Sequence, residues 1–136
     1  MLNRRSLLVR LPLGLLPALL VRAQQGPKVL GLLSPYTSQE TEVIRDALLR
    51  AMLDLGYVRG NDFVVVERFA DGKNERLAEL AAELVRLKVD IIYTTSTNAV
   101  AAAQQATTSI PIIFEGVADP VRAGFADSLS HPGHNI

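Results

Sequence analysis

Lys28-Val29-Leu30-Gly31-Leu32-Leu33-Ser34 is a nearly continuous apolar run, with polar residues at its two ends alone. A strand exposed on one face would alternate apolar with polar, so this stretch reads as a strand buried on both faces. Ser34-Pro35-Tyr36 breaks it, and Thr37 to Glu40 fits a capping box, in which the hydroxyl takes one free helix amide and the glutamate reaches back. Val43, Ile44, Ala47, Leu48, Ala51, Met52 and Leu55 then recur at helical spacing, and Gly56 stands where a helix ends most easily in a left-handed residue. One buried strand followed by one amphipathic helix is the unit of a parallel α/β sheet.

Toward the C-terminus the unit repeats three times. Phe63 to Phe69 reads as a strand whose Glu67 and Arg68 suggest a sheet edge. Asn74 can cap a helix with an apolar stripe of Leu77, Leu80, Ala81, Leu84 and Leu87. Val89 to Tyr93 is a third strand, and Thr97 or Ser96 caps an alanine-rich helix through about Ala106. Ile110 to Phe114 is a fourth strand, with Pro111 tolerated near its start, and Val121 to Leu129 reads as a last short helix before the turn His131-Pro132-Gly133-His134-Asn135. The expected fold is α/β, a three-layer doubly wound parallel sheet. Right-handed crossovers then favour strand order 2-1-3-4, with the order reversing between strands 1 and 3. Ligands of such sheets bind beyond the carboxyl ends of the strands flanking the reversal. That places a candidate site at Ser34 to Thr37, Thr94 to Asn98 and Glu115 to Asp119.

Composition excludes several functions. At 136 residues, 49% hydrophobic and 21% charged, the chain has room for one globular domain. Met1 to Ala23 carries Arg4, Arg5, Arg10 and Arg22 and no acid. Fourteen basic residues less those four leave ten against fourteen acidic ones, a net charge of −4 for the remainder. A mildly acidic domain is not a nucleic-acid binder. No cysteine is present, which removes disulfides, thiolate metal sites, cysteine nucleophiles and a lipid-modified cysteine together. Asn3-Arg4-Arg5, the apolar run Leu11 to Val21 and Val21-Arg22-Ala23 have the order of a secretory signal peptide, cut after Ala23. The run falls short of the ~20 apolar residues of a membrane-spanning helix. Arg4-Arg5 followed by Ser6-Leu7-Leu8 also fits a twin-arginine signal, and an uncleaved helix lying on the membrane surface is the competing reading of the segment.

Catalytic motifs are missing. Gly72-Lys73-Asn74 lacks the rest of a phosphate-binding loop, and no serine sits in a Gly-x-Ser-x-Gly elbow. His131 and His134 lie in a Pro-Gly turn with no carboxylate beside them in sequence, so neither a metal nor any other cofactor is expected. The strand-end residues offer a different chemistry. Thr95, Ser96, Thr97 and Asn98 sit at a helix start, whose free amides suit a carboxylate, or serve ordinary capping. Ser34 offers a hydroxyl, and Tyr36 an aromatic face for a ligand or a surface ring covering the first helix. Glu115 and Asp119 are acids on the same rim, Asp119 also being a natural cap for the last helix. Amides, hydroxyls, an aromatic ring and carboxylates suit binding of a small polar solute, an amino acid most simply. They lack the nucleophile or tuned pair that catalysis needs.

Leu55-Gly56-Tyr57-Val58-x-Gly60-Asn61, Arg76-Leu77-x-Glu79-Leu80-Ala81-x-Glu83-Leu84-Val85, Val89-Asp90-Ile91-Ile92, Ile110-Pro111-Ile112, Val117-Ala118-Asp119-Pro120-Val121 and Pro132-Gly133-x-Asn135 succeed one another in this order. Together they resemble the ABC transporter substrate-binding family that includes predicted tryptophan/tyrosine and sugar-type binding proteins. The resemblance implies a type I periplasmic-binding fold, two lobes closing on a ligand, a permease partner in the inner membrane and no catalysis. Residues 24–136 would then be the N-terminal lobe alone, without the second lobe of the family, and a fragment is one reading of the chain. A sensory or interaction lobe of a signalling system is the alternative function. The family pattern has a second glycine after Gly133, where this chain carries His134. Export predicts that mass spectrometry of the protein outside the cytoplasm finds Gln24 as the first residue; a full-length chain retained inside the cell would refute the leader reading.

Overall fold

The structure is a computed structural model and describes residues 26–136; the leader reading of residues 1–23 lies outside them. Strand β1 (Lys28–Ser34) is followed by helix α1 (Ser38–Asp54), strand β2 (Phe63–Phe69), helix α2 (Leu77–Arg86), strand β3 (Ile91–Thr94), helix α3 (Thr97–Ala106) and strand β4 (Ile112–Phe114). The four strands form one parallel sheet in the order β2-β1-β3-β4. Helix α1 covers one face and α2 with α3 the other, giving the expected three layers.

Strand β1 sits in the middle and explains why its sequence is apolar throughout. Leu30 and Leu32 point toward α1, where Ile44 and Leu48 pack with Tyr93, Val65 and Phe69. Val29 and Leu33 point the other way, into the larger core built with Leu77, Leu80, Ala81 and Leu84 of α2, Ala99, Ala102 and Ala103 of α3, and Ile92. Gly31 lies on that second face under α2. A Cβ there would stand 3.2 Å from both Leu84 methyl groups and from a Val89 methyl. The missing side chain is what lets α2 approach the sheet, in an interior with little spare volume.

Local signals work where the side chains have no other partner. Thr37 caps α1 as a complete capping box: Glu40 N donates to Thr37 Oγ1 (3.2 Å), and the Glu40 carboxylate accepts from Thr37 N (2.8 Å). These bonds, the backbone one foremost, hold the Glu40 carboxyl below its usual range. Gly56 follows α1 with φ +90°, the left-handed stop expected of it. Asp90, before β3, hooks the start of β1 by accepting from Val29 N (2.7 Å) and Lys28 Nζ (3.2 Å). Arg45 reaches Glu67 (3.4 Å) and Arg68 reaches Glu83 (2.7 Å), so the charges of edge strand β2 are tied one to each helix layer.

Several expectations are corrected. No helix spans 121–129. Asp119-Pro120 opens a turn in which Ala123 N donates to Asp119 O (3.0 Å) and Phe125 N to Pro120 O (2.9 Å), and Gly124 at φ +76° ends it. Asn74 does not cap α2: residues Asn74–Arg76 form a 3-10 turn, and Arg76 at the helix start makes no side-chain cap, its guanidinium bonding Asp71 instead (3.0 Å). Leu87 is half exposed, and in α1 the row Val43, Ala47, Ala51 and Leu55 faces solvent while Ile44, Leu48 and Met52 face the sheet, so the buried stripe is narrower than the spacing predicts. Strands β3 and β4 start later than expected. Val89 N turns back to Leu84 O, and Pro111 has no N–H for the ladder.

Replacing Gly31 by alanine is expected to cost about 1–3 kcal/mol through overpacking against Leu84 and Val89. Gly26→Ala, with nothing within 4 Å, is the control. Urea unfolding measures both, and equal midpoints would contradict the close approach of α2.

Candidate ligand-binding site at the strand ends

The carboxyl ends of β1 and β3 are neighbours, since Leu33 is paired with Thr94. Their chains then part to opposite faces, β1 to α1 and β3 to α3, and the gap between the two turns is the crevice that strand order creates. The ends of β3 and β4 are joined beside it: Thr94 pairs with Phe114, and Glu115 N donates to Thr94 O (3.1 Å). Gly116 lies against the Thr95 carbonyl, which a Cβ would meet at 3.2 Å, and adopts φ +72°. The three predicted segments, 34–37, 94–98 and 115–119, therefore share one rim.

Their side chains divide into three groups. Ser34 and Thr95 are buried, and their hydroxyls face each other (3.4 Å). Ser96, Thr97 and Asn98 form the start of α3. Ser96 is the cap, its Oγ accepting from Ala99 N (3.2 Å). The amides of Thr97 and Asn98 donate to nothing among the described residues, and the first turn contains no acid. Tyr36, Glu115 and Asp119 are exposed, Tyr36 with 43% of its surface open.

The two helix starts differ electrostatically. Both bring the positive end of a helix to the rim. At α1 the Glu40 carboxylate already occupies the first turn. At α3 nothing does, so an anion finds α3 free and α1 taken. On the acidic side, Asp119 is partly engaged, its carboxylate accepting from Arg122 N (2.9 Å) as the cap of the turn. Beside Glu115 stands the Tyr93 hydroxyl. Burial first, and the Glu115 carboxylate second, push its pKa well above the ordinary tyrosine value, so Tyr93 stays protonated.

Sequence reasoning missed Tyr93 and Thr41. Tyr93 falls inside a strand and reads as core, and most of it is core. Thr41 is fully buried in the first turn of α1, its Oγ1 2.9 Å from Ser34 Oγ and 2.9 Å from Thr37 O. The signal that could have found it is a hydroxyl four residues after a threonine cap and seven after Ser34. Among the described residues no cluster of histidine and acidic side chains could hold a metal, and no helix is long and apolar enough to cross a membrane.

Comparison with known proteins agrees with the fold. A curated tyrosine-binding protein of Clostridioides difficile (strain R20291) is 36% identical over 92 residues, which are 68% of this chain and 27% of that protein. Among solved structures, the ligand-free, open form of a substrate binding protein with adhesive properties from Clostridium difficile superposes with a TM-score of 0.73 at 28% identity, covering 79% of this chain and 37% of that one. A conserved domain protein of Vibrio cholerae O1 biovar El Tor gives 0.73 at 27% identity, covering 82% and 37%. An ABC domain from Streptococcus pneumonia in complex with L-Trp shares the fold at 21% identity, with a TM-score of 0.73 and coverage of 80% and 37%. The chain thus spans about a quarter of its curated relative's length and just over a third of the solved ones. The family model described as ABC transporter substrate binding protein matches residues 35–136, three quarters of the sequence, and the chain belongs to that family.

Proposed function

We propose that this lobe binds a small zwitterionic solute, an amino acid, at the rim formed by residues 34–37, 94–98 and 115–119, as part of the extracytoplasmic binding component of an ABC importer. The observation that carries the reading is the pairing of opposite charges across one crevice. The α3 start offers unpartnered amides of Thr97 and Asn98 with no acid in the turn, and Glu115 stands exposed on the β4 side. A carboxylate suits the first and an ammonium the second. Tyr36 adds a flat, half-open aromatic surface at the β1 turn. The tyrosine-binding relative supports the amino-acid class, and the family supports delivery to a permease in the membrane. Export by the N-terminal leader would place the site in the periplasm.

The rim is open, as suits one half of a cleft that closes from both sides, since a ligand of this size is normally buried over most of its surface. This lobe alone is therefore expected to bind in the weak range. Calorimetry scanning amino acids and sugars separates the alternatives. Amino acids should give heat and sugars none. Thr97→Ala should weaken amino-acid binding by about 1 kcal/mol or more through the lost hydroxyl contact. Sugars binding in place of amino acids would overturn the zwitterion reading, and unchanged binding by Thr97→Ala would remove the Thr97 hydroxyl from the site.

A further inference from the structure

Three buried hydroxyls at this rim form a chain whose contacts can all be made at once in one direction only. Thr41 Oγ1 donates to Thr37 O (2.9 Å), which uses its only proton. The 2.9 Å contact between Ser34 Oγ and Thr41 Oγ1 must then be donated by Ser34. Ser34 Oγ has spent its proton, so its lone pairs are left to accept, and they take Tyr36 N–H (3.2 Å) and the Thr95 hydroxyl (3.4 Å). Every bonding position of Ser34 is filled and the residue is fully buried. Thr95 has likewise given its proton inward, which leaves only lone pairs for the crevice.

We propose that this chain, running Thr95 to Ser34 to Thr41 to the Thr37 carbonyl, fixes Thr95 as a hydrogen-bond acceptor toward the ligand, with Thr41 and Ser34 as positioning residues that touch no ligand. Thr95 would accept from the ammonium group of an amino acid and would turn away an analogue lacking that donor. The inference rests on the amino-acid reading and deepens it, giving Ser34 the part of a support where sequence suggested a direct contact. The helix start and the acids set where the two charges go; the hydroxyl chain sets which kind of group is read between them. Thr41 matters because it is the only member whose proton goes to a backbone carbonyl that cannot reverse. Without its oxygen the Ser34 proton is free to turn to Thr95, and Thr95 can then offer its own proton outward.

L-phenylalanine and 3-phenylpropionate differ by the ammonium group alone, so the ratio of their affinities reports what Thr95 and the acids read. NMR titration of the chain should show the amino acid favoured by about tenfold or more, as expected for a hydrogen bond to a charged group. Thr41→Val should shrink that preference severalfold, whereas Thr41→Ser should keep it. A loss of stability alone would lower both affinities and leave their ratio unmoved, so an unchanged ratio in a folded Thr41→Val chain overturns the proposal. If Thr41→Val does not fold, the hydroxyl protons of the native chain decide instead. A Ser34 hydroxyl proton lying next to Thr41 supports the proposal, and one lying next to Thr95 overturns it. A native chain that binds neither compound overturns the amino-acid reading itself, a result distinct from equal binding of both, which would overturn the acceptor role of Thr95.

Discussion

Strand β1 is hydrogen-bonded on both edges and packed on both faces, and the rest of the lobe is arranged around that requirement. A parallel strand with two neighbours has both its amide rows satisfied only if the chain crosses the sheet twice, once to each side. Helix α1 carries it to β2 on one edge, and α2 brings it back past β1 to β3 on the other. Right-handed crossovers then force α1 and α2 onto opposite faces. The crevice at the end of β1 is the geometric remainder of that reversal. Gly31 lets α2 sit close enough for Leu84 to close the core, and Asp90 fixes where β3 begins by holding the amide of Val29.

The site inherits its chemistry from the same constraint. Helix starts gather at the carboxyl ends of parallel strands, so two positive helix ends meet at one rim, and their capping decides which of them is available. Glu40 occupies α1, while Ser96 caps α3 through Ala99 and leaves two amides ahead of it open. Below the rim, Ser34, Thr41 and Thr95 replace apolar packing with a closed set of hydroxyl bonds between β1, α1 and β3. Buried polar groups with every bond made are rigid, and a rigid support keeps a binding loop in place with few contacts to the ligand.

Legibility in the sequence depended on how much of each signal is local. The bounds of β1 and β2 could be read to the residue because Gly-Pro-rich or polar breaks flank them on both sides. Strand order came from crossover handedness together with the charged pair Glu67-Arg68, which marks β2 as an edge. The capping box at Thr37 and the left-handed stop at Gly56 needed no tertiary knowledge. The helix expected at 121–129 failed because Gly124 stops the turn that Asp119 begins; Phe125 and Ala126 are buried without it, and Val121 and Leu129 are exposed. The stripe of α1 was read too wide, since its apolar residues occupy two adjacent rows and only the row of Ile44, Leu48 and Met52 meets the sheet. For Ser34 the position at the strand end is visible in the sequence and the complete burial is not. Thr41 could not be found from spacing alone, as its meaning depends on the residue it meets across the turn.

Among the concave features of the lobe away from the strand ends, one competes with the strand-end assignment. A groove of about 160 Å3 lies on the α1 face, lined by Leu30, Leu48, Met52, Phe63, Ile91, Tyr93 and Ile113 together with Lys28. Apart from Lys28 its lining is apolar and would suit a hydrophobic ligand or a covering segment. The rim is polar and charged. Mapping backbone amide shifts of the isotopically labelled chain on addition of L-phenylalanine discriminates the two directly. Binding at the rim predicts that the amides of residues 34–37, 94–98 and 115–119 move together along one binding curve. Shifts concentrated at Leu30, Leu48, Ile91 and Ile113, with the amides of Thr97 and Asn98 still, would contradict it.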